Sequence, residues 1–328
     1  MRITRRMKHA ALAAVLFAAG CGAAFAQSTG SYPSKPVRAV VTFPPGGSTD
    51  VLSRVVGQKL AERWGQPWVF ENRPGAGGQI AVDAVLKSPA DGYTLLVGTS
   101  GVIAINPSLY KKLAYDPVKD LAPVVLIGKT PMALMVPVTW QGTVKDLIAQ
   151  SRAKPGQLNY GHGGNGTAMH LIGEMFKTAT AADLTPVAFK TSAEVITSLS
   201  GGQLHAGWVD SNFALVGSKG GHVRAIAVAG KERTAVLPEV PTVAESGFPG
   251  FDAQAWFGFF ARTGTAADII GRLNAEARTV IAMPEVQERI LAAGNDSWRN
   301  TPEDFQAFVR AEIVKWAAAV KQSGASAD

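Results

Sequence analysis

Four glycine-rich clusters are the stretches of this chain best able to do chemistry. The first is Phe43-Pro44-Pro45-Gly46-Gly47-Ser48-Thr49-Asp50 and the second Glu71-Asn72-Arg73-Pro74-Gly75-Ala76-Gly77-Gly78. The third is Tyr160-Gly161-His162-Gly163-Gly164-Asn165-Gly166-Thr167, and Gly98-Thr99-Ser100-Gly101 is a shorter fourth. The first three fall between a predicted strand and a predicted helix. Unpaired N–H groups at a helix start attract anions, and glycine lets the backbone approach a ligand closely. Ser48, Thr49, Thr99, Ser100 and Thr167 add hydroxyl donors. Donors without many cations suit a small carboxylate better than a polyphosphate. One such turn alone reads as a tight strand-to-helix connection or a helix cap. The ligand reading rests on there being four.

Other chemistries lack their signatures. Gly161, Gly163 and Gly166 have the GxGxxG spacing, but the acid that a dinucleotide site places about 20 residues on, at the end of the next strand, is missing. Asp183 instead precedes the strand predicted over Pro186–Phe189. No phosphate loop, GxSxG elbow or HExxH pair occurs. No metal or cofactor is expected. His170 lies one helical turn past Thr167, which leaves a capping role and a ligand contact both open. Asp50 sits in the first turn of its helix. It either complements the helix dipole or orients the glycine loop around a ligand.

Alternating elements must hold these turns. Strands are predicted over Val37–Phe43, Pro67–Glu71, Tyr93–Gly98, Val124–Ile127, Ala133–Val138, Leu158–Tyr160, Pro186–Phe189, His205–Val209, Val223–Val228 and Ala255–Ala261. Helices are predicted over Thr49–Trp64, Gly78–Lys87, Val144–Ala153, Gly166–Lys177 and Ala193–Leu199. The chain ends in three more, Ala266–Ile281, Pro284–Ala293 and Pro302–Gln322. This rhythm predicts α/β layers on largely parallel sheets, whose carboxyl edges are where such turns bind ligands. In the last helix Phe305, Phe308, Val309, Ile313, Trp316 and Val320 recur at helical spacing and form a packing face.

The 328 residues permit two domains, and 47% hydrophobic against 17% charged residues argues against disorder. The formal charge of +7 invites a nucleic-acid reading. However, Arg2, Arg5, Arg6 and Lys8 precede an apolar run, Ala10–Gly20, and an Ala24-Phe25-Ala26 site, the layout of a secretory leader. Cleavage after Ala26 removes more than half of that charge, and Cys21 with it. A soluble, exported, cysteine-free chain with a small dispersed charge is expected, binding no nucleic acid and inserting in no membrane.

Further segments complete a family pattern: Tyr32-Pro33-Ser34-Lys35-Pro36, Asp91-Gly92-Tyr93-Thr94-Leu95, Ala104-Ile105-Asn106-Pro107, Leu237-Pro238-Glu239-Val240-Pro241-Thr242, Trp256-Phe257-Gly258 and Thr301-Pro302-Glu303. With the glycine clusters, and in this order, they resemble the substrate-binding proteins of tripartite tricarboxylate transporters, the Bug (TctC-like) family of periplasmic solute receptors. The likeness runs over nearly all of Tyr32–Asp328.

The resemblance implies an α/β, two-lobed periplasmic-binding-protein fold, type II-like, with the ligand cleft between the lobes. After a signal peptide over 1–26, lobe 1 would comprise 27–128 and 251–328, and lobe 2 would comprise 129–250. It implies a carboxylate gripped by Phe43, Gly46, Gly47 and Ser48, near Asp50, with Gly75, Ala76, Gly77 and Gly78. Thr99 and Ser100 match a further lobe-1 segment. Gly163, Gly164, Gly166, Thr167 and His170 match the lobe-2 anion loop, and Asp210 an acid facing the cleft. Phe189 stands where relatives often carry Tyr. Trp208 and Phe213 point either to a flat, aromatic carboxylate or to core packing.

The implied function is capture of a small organic carboxylate or dicarboxylate by a monomeric periplasmic protein. Delivery would be to a two-component inner-membrane permease, without catalysis. A ligand sensor for a signalling kinase and an exported enzyme using His170 and Asp50 are the alternatives.

Overall fold

A computed structural model describes residues 32–327. The leader expected over 1–26 lies outside the described residues. The elements are β1 (Val37–Val41), α1 (Ser48–Trp64), β2 (Trp68–Asn72), α2 (Gln79–Leu86), β3 (Thr94–Thr99), α3 (Asn106–Leu109), β4 (Leu121–Thr130) and β5 (Met132–Pro137). They continue as α4 (Val144–Ala153), β6 (Asn159–His162), α5 (Ala168–Thr180), β7 (Thr185–Ala188), α6 (Ser192–Ser200), β8 (Ala206–Asp210), α7 (Ser211–Lys219) and β9 (Val223–Val228). The chain closes with β10 (Ala255–Arg262), α8 (Ala267–Ile281), α9 (Pro284–Ala292), β11 (Asp296–Ser297) and α10 (Pro302–Ser323).

Two sheets result, ordered β11-β4-β10-β3-β1-β2 and β7-β6-β8-β5-β9. The expectation of largely parallel sheets needs correction. β1 pairs in parallel with β2 and β3, and β6 with β7 and β8. In contrast, β10 runs antiparallel to β3 and β4, and β5 antiparallel to β8 and β9. The reason is connectivity. A helical crossover returns a strand parallel, but only Pro131 separates β4 in one sheet from β5 in the other. β10 re-enters the first sheet after the second is finished.

Local sequence explains the elements. β1 is a nearly continuous apolar run, Val37-Arg38-Ala39-Val40-Val41, buried except at Arg38 as befits a central parallel strand. α1 ends at Gly65, whose φ of +65° suits the left-handed C-terminal position. Thr301 and Asp304 cap the start of α10 reciprocally, with Pro302 at its first position. Trp316, Ala319 and Val320 on α10 join a core cluster that also contains Leu96 and Phe260 of the first sheet and Leu134 and Trp208 of the second.

Candidate functional site

The glycine turns are built by conformations other residues avoid. Gly75, Ala76, Gly77 and Gly78 all have positive φ, at +117°, +47°, +61° and +88°. At Ala76 that conformation is strained, a feature found at functional loops. A Cβ on Gly77 would lie 2.5 Å from the Tyr110 hydroxyl, and one on Gly78 2.5 Å from Val102 Cγ2. The second turn is therefore packed as well as bent.

Asp50 organises the first turn. Its carboxylate accepts the Gly46 N–H at 3.0 Å, the Arg54 Nε–H at 2.9 Å and the Asn72 amide at 2.9 Å. Asn72 also donates to the Phe43 carbonyl at 2.9 Å. Burial alone would raise the Asp50 carboxyl, but these donors outweigh it and hold the group below its ordinary range. Of the two roles open from sequence, the geometry is that of orienting the loop.

The four clusters converge on one cavity of about 600 Å³. Its wall includes Thr42, Phe43, Pro44 and Thr49 from the β1–α1 turn and Pro74, Gly75, Gly77 and Gly78 from the β2–α2 turn. Thr99, Ser100, Gly101 and Val102 follow β3, and Gly163, Asn165, Gly166, Thr167, Ala168 and Met169 follow β6. Hollows of similar volume, 610, 580 and 600 Å³, occur elsewhere, but none gathers turns from both sheets. Lys190 is the one charged residue on the wall among the described residues. The Thr99 hydroxyl is buried with no hydrogen-bond partner, although Thr99 lines the cavity. A buried unpaired hydroxyl is costly and calls for a partner.

Several expected site residues stand off the wall. Gly46, Gly47, Ser48 and Ala76 shape their turns without lining the cavity, and so does Gly164. Trp208 belongs to the core, 1% exposed, edge-on to Phe176. Phe189 packs partly buried beside Leu199 and Leu204, and Phe213 is surface-exposed. Asp210 caps α7 by accepting the Phe213 N–H at 3.2 Å and also holds the Ser192 hydroxyl at 2.8 Å. Burial raises its carboxyl, partly offset by those donors. Of the two readings open for Trp208 and Phe213, core packing holds for Trp208, and neither ring lines the cavity.

The wall contains residues the sequence did not single out as site residues: Asn106, Leu109, Tyr110, Thr130, Met132, Trp256, Phe257 and Ala327. Asn106 follows a π-helical turn over Gly101–Ile105 and donates to the Gly77 carbonyl at 2.9 Å. It fastens the second turn to the segment after β3. Asn106-Pro107 and Trp256-Phe257 stood inside family segments, which was the available signal. Met132 and Ala327 had none, because only tertiary packing brings them here.

Residues 52–325 match the model of the tripartite tricarboxylate transporter family receptor. The chain belongs to that family. This receptor is 37% identical over 312 residues to protein BugT of Bordetella pertussis, covering 94% of this chain and 96% of the relative. Among solved structures it is similar to a Rhodopseudomonas palustris protein with adipate, at 35% identity and TM-score 0.77, over 90% of this chain and 99% of that one. MatC from the same organism, with bound malate, is 31% identical with TM-score 0.73, over 88% of this chain and all (100%) of that one. Members are substrate-binding receptors, so this receptor captures a solute rather than converting one. The fold is the two-domain α/β architecture of periplasmic binding proteins. Among the described residues no helix is long and apolar enough to cross a membrane.

Proposed function

We propose that this receptor works in the periplasm, capturing a small organic carboxylate and passing it to a two-component inner-membrane permease. The observation that carries the reading is the convergence of four donor-rich turns from two sheets on one cavity with an unpartnered Thr99 hydroxyl. Backbone N–H groups replace the water around a carboxylate, and closure of the cleft buries it. Phe43, Leu109, Tyr110, Met132 and Met169 supply an apolar lining beside these donors, which favours a carboxylate with an apolar body. The adipate and malate bound by the two R. palustris relatives support the ligand class. Lobe boundaries near residues 129 and 250, with 27–128 and 251–328 as one lobe, agree with strands Leu121–Thr130 and Ala255–Arg262 belonging to one sheet and Met132–Val228 supplying the other.

The test is isothermal calorimetry of the mature chain with adipate, malate and a set of aromatic carboxylates. Binding of at least one in the micromolar range or tighter is expected. A folded chain that binds none would overturn the reading.

A further inference from the structure

His170 lies at the loop of the second sheet, but its geometry is not that of a ligand contact. It is buried, and it does not line the cavity. Its Nδ1 accepts the N–H of Gly166 at 3.2 Å. Its own N–H donates to the Thr167 hydroxyl oxygen at 3.3 Å, and that hydroxyl donates to the Gly164 carbonyl at 2.7 Å. Thr167 is the N-cap of α5, and His170 is the third residue of that helix. The arrangement is a capping box in which an imidazole replaces the usual carboxylate and reaches one residue further back. It closes a loop whose Gly164 and Gly166 have φ of +107° and +73°, and Gly163, Gly166 and Thr167 form the cavity wall.

The choice of imidazole has a physical consequence. A Glu or Asp here would hold the same N–H but place a negative charge directly behind a loop meant to receive an anion; Asp50, which does so at the first turn, is paired with Arg54 at 2.9 Å. A neutral imidazole offers the lone pair without the charge. The fold keeps the ring neutral: burial lowers its pKa, with Lys177 adding to that effect and Glu174 opposing it. The His162 ring lies tilted beside it, centroids 4.5 Å apart, and is also driven toward the neutral form by burial. Tyr160 and Lys177 both donate to Glu174, at 2.8 and 3.0 Å.

We propose that His170 is a positioning residue of the receptor: as an uncharged acceptor for the Gly166 N–H, it sets the second-sheet loop in the shape that grips the anion. The proposal rests on the reading of this cavity as the carboxylate site.

The experiment compares mature wild type with His170→Ala, His170→Asn and His170→Asp. The Asn side-chain oxygen sits where Nδ1 does and is uncharged, and Asp supplies the same acceptor with a charge. Two readouts are taken: amide hydrogen exchange at Gly166 in the ligand-free chain, and calorimetric affinity for adipate or another bound carboxylate of the panel. Ala should speed Gly166 exchange and weaken binding, each by about tenfold or more. Asn should recover most of both. Asp should keep Gly166 protected yet still lose about tenfold in affinity, which a purely structural role does not predict. In wild type the Gly166 amide resonance should shift with the His170 titration, at a midpoint below about 6.5. Unchanged Gly166 exchange in Ala, or full affinity in Asp, would overturn the proposal alone. A wild-type chain that binds no carboxylate would overturn the underlying site reading, and the Gly166 exchange result distinguishes the two failures.

Discussion

At Thr99 a buried hydroxyl has no hydrogen-bond partner within the protein. A buried group without a protein partner is costly, and a ligand oxygen would offer it the missing bond. Thr99→Val should therefore leave urea stability equal or higher while weakening carboxylate binding about tenfold, or about 1.4 kcal/mol. A loss of stability with unchanged affinity would reverse that assignment. Asp50 is the opposite kind of residue, buried and fully engaged with Gly46, Arg54 and Asn72. Asp50→Ala removes the acceptor of three donors, Gly46, Arg54 and Asn72, and should cost roughly 2–4 kcal/mol. Denaturant melts of Asp50→Ala and Asp50→Asn check this, with Asn expected to recover part of the loss.

Among the elements, α10 deserves its length because it ties the cavity wall to the core. Its Glu312, 4% exposed, accepts the indole N–H groups of Trp256 and Trp316, both at 2.8 Å, and pairs with Lys315. Trp256 is also part of the cavity lining, and Lys129, at the end of β4, sits 3.8 Å over the Trp298 ring. Glu312→Ala would leave two buried indole donors unpaired, at a cost of roughly 2–4 kcal/mol. It should also loosen Trp256 and change the tryptophan emission on ligand addition. A melt within about 1 kcal/mol of wild type would show that the indoles find other partners. The apolar face of α10 was legible in sequence; the Trp256–Glu312 bond was not, since its partners lie 56 residues apart in the chain.

At the scale of the whole molecule, one core cluster runs through both sheets and through α5 and α10. Calorimetric unfolding of the ligand-free chain should accordingly show one transition, with calorimetric and van't Hoff enthalpies in agreement. Two separated transitions would mean that the sheets melt independently. Acid should weaken the whole. His162 is driven from 6.5 to about 4, chiefly by burial, with His170 adding to it, and His170 is lowered as well. The unfolded chain then binds more protons below 6.5, so stability is level above that pH and falls as pH drops toward 4. The slope is up to about 1.4 kcal/mol per pH unit for each histidine. Asp50 acts lower still: its contribution, present at neutral pH, is lost as pH falls through its depressed value. Urea midpoints from pH 8 downward read this out, and a flat curve would contradict the burial of both rings.

Most of the strands and helices, the four turns and the family resemblance are legible in the chain alone, because each is written in local pattern: apolar runs, caps, and glycines where φ must be positive. It also fixed which loops carry donors. Tertiary structure alone decided what those donors face. The crossing of β4 into β5 through Pro131 made the sheets mixed and brought Gly166 to Leu109, so that a Cβ on that glycine would meet Leu109 at 2.7 Å. It drew Met132, Trp256 and Ala327 onto the cavity wall and buried Trp208 in the core. It also set the His170 ring against the Gly166 N–H. Such outcomes depend on which faces two distant segments present to each other, and no local pattern encodes that.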